Sequence, residues 1–126
     1  MGIRIKHSTV DTLDFVDNCS RIKLIEYVVA AIGPTMTSII LRQKHMEAMQ
    51  YWAKLSDYND FHTMRLRTAL KCIKILEKDY LNSNIATWFF MSNDKLGYKP
   101  PYIFIKESMS NIVNVKVVKV AIEHTY

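Results

Sequence analysis

The chain has 126 residues, which fits one domain with a moderate core and is short for two. Apolar residues make up 49% of it, and only three residues are Gly and three Pro, which argues against a disordered chain and a turn-rich all-β fold. The 17 basic and 12 acidic residues give a formal charge of +5, which permits a polyanionic partner without requiring one.

The sequence also indicates a compartment. No apolar run approaches the roughly 18 to 20 residues that cross a bilayer, so we expect no membrane segment. Charged residues stand near the N-terminus where a signal peptide has its apolar region. Cys19 and Cys72 lie far apart without a neighbouring Cys or His, so neither a zinc site nor a disulfide framework is indicated. We therefore expect a cytoplasmic protein.

The first third of the chain predicts an arm and two helices. Residues 1–17 have only a weak pattern, typical of a short strand or arm followed by a turn of helix. A helix is predicted to start after Asn18, a capping residue, and to end at Gly33. Its apolar positions repeat with helical spacing at Ile22, Ile25, Val28, Val29 and Ile32. Pro34 then suits the first turn of a second helix that runs to about Leu41.

Three more helices are predicted in the middle of the chain, at about 45–54, 61–80 and 85–91. The helix at 61–80 has the clearest pattern. Its apolar stripe consists of Leu66, Ala69, Leu70, Ile73 and Leu76. The basic residues expected outside that stripe are Arg65, Lys71, Lys74 and Lys78.

Residues 111–122 fit two structures. Their Val and Ile content favours a strand, whereas Ile112, Val115, Val118 and Ile122 also follow a helical spacing. We favour a helix because no other segment offers a convincing strand partner. The sequence as a whole therefore predicts an all-α fold in one compact unit.

No motif in the sequence predicts catalysis. The four His residues lack the spacing of a metal site, and three Gly residues are too few for a glycine-rich phosphate loop. The Gly-x-Ser-x-Gly turn of a nucleophile is absent as well. We expect no enzyme activity, no cofactor and no metal.

Three consecutive aromatic residues at 88–90 cannot all face one way on a helix, so at least one is expected on the surface. Phe90 is the candidate for that position. The Pro-stiffened loop from Asp94 to Pro101 would then form a surface for a partner, with an aromatic and a cationic contact at Tyr98 and Lys99. The alternative is that all three rings lie in the core, that Asn93 only caps a helix end, and that the loop is ordinary.

Counting from Trp88, an Asn lies five residues on, a Leu eight, a Gly nine and a Pro thirteen. This spacing resembles the toxin-binding domain of the Xre/MbcA/ParS family of bacterial antitoxins. In that family an Ala precedes a Trp-Leu or Trp-Phe pair, followed by an Asn, a Leu with an adjacent Gly, and a Pro that opens the next helix. The matching positions are Ala86, Trp88, Phe89, Asn93, Leu96, Gly97 and Pro101.

An upstream block resembles the helix-turn-helix-like half of the same family, where a Trp-Ala pair precedes a turn and an Arg-Leu-Arg opens a long helix. The matching positions are Gly33, Trp52, Ala53, Arg65, Leu66, Arg67 and Ala69. The two blocks together cover roughly residues 30–107. The sequence departs from the family at Leu55 and the polar residues after it, where a Gly and often a Pro are usual.

The resemblance implies an all-helical, dimeric antitoxin of a type II toxin-antitoxin system. It implies that residues 81–126 occlude the active site of a cognate toxin, often a RES-domain toxin that consumes NAD. It also implies that residues 1–80 are helix-turn-helix-like, form a homodimer and bind operator DNA. The alternatives are a free-standing DNA-binding regulator without a toxin, and a helical interaction module of another system.

Two sets of contact residues follow. The expected toxin-binding residues are Phe90, Asn93, Tyr98, Lys99, Pro101, Lys116 and Lys119. The last two, with His124 and Tyr126, either form a tail that reaches into the toxin or an ordinary solvated basic face. The expected DNA-binding residues are Arg42, Lys44, His45, Gln50 and Lys54, with Arg65 and Arg67 nearby, and ordinary solvated charges are the alternative.

Overall fold

A computed structural model of the chain describes residues 7–42 and 61–125. These residues form seven α-helices and one 3₁₀ turn, and no strand occurs among them. The helices are α1 His7–Asp17, α2 Arg21–Ile32, α3 Pro34–Leu41, α4 Phe61–Leu76, α5 Asn82–Phe90, α6 Pro101–Glu107 and α7 Asn111–Thr125. The all-α prediction is confirmed. Within these two ranges, no helix is both long and apolar enough to cross a membrane.

Helix α4 lies at the centre of the fold. Its predicted apolar stripe is buried: Leu66, Ala69, Leu70, Ile73 and Leu76. Cys72 and Ile75 are buried on other sides of the helix, because α1, α2, α3, α6 and α7 all pack against it. A helix that is covered on most sides buries more than one stripe, and an amphipathic pattern alone therefore underestimates its buried surface.

Helices α4 and α7 run parallel and form the most extensive pair in the described core. Near the start of both, Arg65 Nη2 donates a hydrogen bond of 3.0 Å to the carbonyl of Ser108. Beyond the end of α4, the Tyr80 hydroxyl lies 3.5 Å from the carbonyl of His124, which is in the last turn of α7. The prediction of a helix for residues 111–122 is confirmed, and its buried apolar side chains include Val117, Val120, Ala121 and Ile122.

Three local predictions were wrong. Residues 7–17 form three turns of helix rather than one, because Val16 is fully buried and α1 packs on α4. Helix α2 is capped by Ser20, whose hydroxyl accepts a hydrogen bond from the Lys23 amide, and not by Asn18. Ile22 is exposed, since the buried side of α2 passes through Leu24 instead.

The junction of α2 and α3 follows the sequence prediction. Gly33 ends α2 with a φ of 89°, a value that side-chain-bearing residues rarely adopt, and its amide donates to the Val29 carbonyl. Pro34 occupies the first turn of α3, where its missing amide costs no helical hydrogen bond. The helix predicted at 45–54 lies outside the described residues.

Candidate protein-binding surface

The three aromatic residues that end α5 point in different directions. Phe89 is fully buried, Trp88 is half-buried, and Phe90 is 61% exposed. The successive 100° rotation of helical residues separates the three rings, so only the middle one reaches the centre of the core. The prediction that Phe90 reaches the surface is confirmed.

Phe90 does not stand alone on that surface. Its ring stacks on Tyr102 of α6, with centroids 6.1 Å apart and planes inclined by 11°. Such an offset arrangement is one that aromatic pairs prefer, and it adds to the apolar area that each ring buries. The end of α5 and the first turn of α6 therefore share one half-exposed aromatic pair.

Helix α6 continues this surface. Only Pro101 and Ile105, one turn apart, are buried in it. Tyr102, Ile103 and Phe104 are half-buried, and Ile103 lies on the side opposite to the two buried residues. We call Phe90, Tyr98, Tyr102, Ile103 and Phe104 the α6 surface. These five exposed or half-buried side chains lie on two helices and the loop between them.

The loop that joins α5 to α6 is held closed by Asn93. Its amide donates to the Lys99 carbonyl at 3.2 Å, and its own carbonyl accepts from the Tyr98 amide at 2.9 Å. Its side-chain oxygen accepts from the Lys95 amide at 3.0 Å, which starts the 3₁₀ turn Asp94–Leu96. Leu96 is buried and anchors this turn in the core. Asn93 thus organises the loop and does not cap the end of α5.

Two successive residues of this loop have a left-handed backbone. Gly97 and Tyr98 both have a φ of 66°. A glycine adopts this conformation without cost, but a tyrosine does so only against steric resistance. The strained backbone places the Tyr98 ring at the tip of the loop, where it is 75% exposed. Strain of this kind in an exposed loop is a reason to look for a function there.

The next residue connects the loop to the far end of α6. Lys99 Nζ donates a hydrogen bond of 2.7 Å to the Glu107 carboxylate. This hydrogen bond, with smaller effects from the positive charges of Lys106 and Arg42, lowers the pKa of Glu107. Pro100 and Pro101 follow Lys99, and both rings restrict the backbone at the start of α6. The loop is therefore fixed at both ends and along its length.

The remaining expected toxin-binding residues lie in α6 and α7, and they differ in burial. Pro101 is buried, so it shapes the α6 surface without contributing its side chain to it. Lys116 places its ammonium group 5.9 Å from the centroid of the Phe104 ring, next to the α6 surface. Lys119 is exposed on α7. Up to Thr125 these residues belong to a packed helix and not to a free tail, and Tyr126 lies outside the described residues.

The arginines expected near DNA hold helix ends together. Arg42 donates from Nε and Nη2 to the Lys106 carbonyl, at 3.0 and 2.8 Å, at the end of α6. Arg67 Nη1 donates to the carbonyls of Val16, Asp17 and Cys19 at 2.9 to 3.1 Å, at the end of α1. Positive groups are favourable at the C-terminal ends of helices, where the carbonyls lack partners.

Arg65 was predicted outside the apolar stripe of α4, and this was wrong. It is only 2% exposed, and its guanidinium contacts the Ser108 carbonyl and the Met109 sulfur. The other expected DNA contacts, Lys44, His45, Gln50 and Lys54, lie outside the described residues. Of the residues expected at or near DNA, the structure describes Arg42, Arg65 and Arg67. Each of these guanidinium groups donates hydrogen bonds to carbonyls of another segment, so the three do not form a shared basic surface.

Sequence reasoning missed three members of the α6 surface: Tyr102, Ile103 and Phe104. The signal was present, because three consecutive apolar residues in a helix cannot all face the core. The local pattern predicts no separate helix at 101–107, and outside a helix this rule does not say which of these side chains is exposed.

Neither metal ligands nor the buried thiol point to a site among the described residues. They contain no group of three His, Cys, Asp or Glu side chains close enough to hold a metal ion. Cys72 is buried in the core, and this burial raises the pKa of its thiol, which makes it a poor nucleophile. The exposed aromatic surface is the feature that points to a function.

No family model matches the chain, and no curated protein or solved structure shows detectable similarity to it.

Proposed function

We propose that this protein is an antitoxin that binds a cognate protein toxin through the α6 surface and blocks the toxin's active site sterically. The observation that carries the proposal is the strained and exposed Tyr98, at the tip of a loop fixed by Asn93, Leu96 and the Lys99–Glu107 ion pair. A surface fixed before binding loses little conformational entropy on binding, and aromatic residues contribute most to interface energies.

The proposal is supported by the position of the α6 surface, which overlaps the stretch of chain that carries the sequence resemblance. The family motif spans positions 86–101, and Phe90, Tyr98 and the start of α6 all fall in or directly beside it. Inhibition by occlusion requires only a rigid protruding surface and no chemistry of its own. A cytoplasmic location and a homodimer belong to the same proposal.

The test begins with affinity capture of the tagged protein from its native host at moderately high salt, with identification of the bound protein by mass spectrometry. The captured partner is then expressed alone and together with the wild-type protein. The proposal expects the partner to arrest growth alone and the wild-type protein to restore growth. A partner that is harmless alone, or that arrests growth equally in both strains, contradicts it.

The most informative variant is Tyr98→Gly. It removes the exposed ring and also relieves the left-handed strain, so folding stability is expected to stay constant or to rise by about 1 kcal/mol. Growth rescue is nevertheless expected to fall. Phe90→Ala is the second variant, and Phe15→Ala is its matched control, because Phe15 is also an exposed phenylalanine but lies on α1. Equal rescue by Tyr98→Gly, Phe90→Ala and wild type would refute the assignment of the surface.

A further inference from the structure

The α6 surface is bordered by lysines that make no ion pair with another described residue. Lys106 follows Tyr102 by one helical turn, and Lys116 lies over the Phe104 ring on the other side. Among the residues that the structure describes, no carboxylate lies within 4.0 Å of Lys106, Lys116 or Lys119. Other lysines do have acidic partners, such as Lys95 with Glu123.

One carboxylate near this border is already surrounded by cations. Glu107 accepts the hydrogen bond from Lys99, and the positive charges of Lys106 and Arg42 also lower its pKa. Three cations thus face a single anion at the end of α6, which leaves a positive excess beside the apolar side chains. A partner that covers the surface must supply the missing negative charge or leave these charges without a counterion.

Three of the four aromatic rings of the surface have one face covered, which leaves few faces for nucleic acid bases. The Phe104 ring has the Lys116 ammonium over one face, and Phe90 and Tyr102 lie nearly parallel against each other. Base stacking needs open ring faces. The edges of these rings and the Ile103 side chain instead offer shallow apolar contacts, which suit the side chains of a peptide segment.

From these observations we infer that the α6 surface recognises an acidic protein segment, in which Asp or Glu residues flank one or two large apolar side chains. The apolar side chain contacts Ile103 and the ring edges, and the carboxylates meet Lys106 and Lys116. This inference rests on the proposed function for its identification of the surface, but it names a chemistry that the antitoxin proposal does not require.

The test uses a displayed library of random linear peptides, selected on the immobilised full-length protein. The expected result is enrichment of peptides rich in Asp and Glu that contain Leu, Phe or Trp. A synthetic copy of an enriched peptide should bind less tightly as salt rises, and it should shift the amide resonances of α6 in a titration followed by nuclear magnetic resonance.

Two charge-matched variants then test the border. The double variant Lys106→Gln, Lys116→Gln is expected to weaken binding of the synthetic peptide about fivefold, since each exposed charge pair contributes several tenths of a kcal/mol. The double variant Lys23→Gln, Lys78→Gln loses the same charge at exposed positions on α2 and after α4, and it should bind within about twofold of wild type.

Several outcomes overturn the inference: no enrichment, enrichment of basic or uncharged peptides, equal binding by both double variants, or resonance shifts at α6 with an oligothymidine strand in place of the peptide. The result is separable from the antitoxin proposal. A toxic partner that binds through a non-acidic segment and is neutralised would contradict only the inference. Binding of acidic peptides to α6 without any toxic partner would contradict only the antitoxin proposal.

Discussion

Helices α4 and α7 and the short helix α6 have nearly the same share of apolar residues, slightly more than half in each. In α4 most of these side chains are buried, and α7 buries at least Val117, Val120, Ala121 and Ile122, whereas α6 buries only Pro101 and Ile105. The parallel α4–α7 pair is covered on several sides, while α6 lies at the edge and leaves three consecutive apolar residues half-exposed. Apolar composition therefore predicts that a helix packs, but not how much of it remains available to a partner.

The difference has an energetic consequence. Burial of an apolar side chain contributes about 1.5 to 3 kcal/mol to folding, so the α4–α7 pair stabilises the domain. The exposed part of α6 does not contribute this free energy to folding. Under the proposed function, the two regions divide the apolar residues between folding and binding, and variants of each region test that division.

The largest effect is expected from two neighbouring phenylalanines on α5. Phe89→Ala removes a fully buried ring and should reduce the free energy of unfolding by about 3 to 5 kcal/mol. Phe90→Ala removes a ring that is mostly exposed and should cost less than about 1 kcal/mol. Urea unfolding followed by circular dichroism measures both. Losses of equal size would show that Phe90 belongs to the core and that α5 does not divide into a buried and an exposed ring.

An intermediate effect is expected where α4 holds the end of α1. Arg67→Ala removes three hydrogen bonds to carbonyls of residues 16–19, and it should cost about 2 kcal/mol. Lys119→Ala, on the exposed side of α7, is the control and should stay within about 0.5 kcal/mol of wild type. The same unfolding measurement applies. A cost for Arg67→Ala as small as that of the control would mean that the carbonyls find other partners.

A smaller effect, of opposite sign, is expected at Asn114 in the α4–α7 pair. It is only 4% exposed, and neither of its side-chain amide atoms has a hydrogen-bond partner among the described residues. Asn114→Leu keeps the number and branching of the side-chain heavy atoms and has no polar atoms, so it should raise the free energy of unfolding by about 1 kcal/mol. Thermal unfolding measures this as a higher midpoint. A clear loss of stability would show that the amide does have a partner.

The smallest effect concerns the ion pair that borders the α6 surface. Because Lys99 lowers the pKa of Glu107 from its ordinary value of 4.5, the pair contributes to stability above that pH and loses its contribution as pH falls through the lowered value. Lys99→Met should raise the carboxyl pKa of Glu107, measured by carbon-13 resonance titration, and should weaken the acid dependence of unfolding slightly. An unchanged titration curve in Lys99→Met would show that the pair does not form in solution.

Several parts of the fold and of the candidate surface follow from local patterns. The stripe of α4 repeats with the helical period, the Gly33–Pro34 step ends one helix and begins the next, and the ring run at 88–90 requires one ring to be exposed. Each of these depends on residues that are close together in the sequence, where helical geometry fixes which side chains share a face. The exposure of Phe90 was predictable for the same reason.

The sequence alone thus determined that the chain is helical, where two of its helices meet, and that an aromatic ring near residue 90 lies on the surface. Only the tertiary structure decided that Arg65 is buried and that Phe90 pairs with Tyr102. The contacts responsible join Arg65 to Ser108, 43 positions away, and Phe90 to Tyr102, which belongs to the next helix. Such contacts depend on how helices are arranged in space, and no local period of the sequence contains that information.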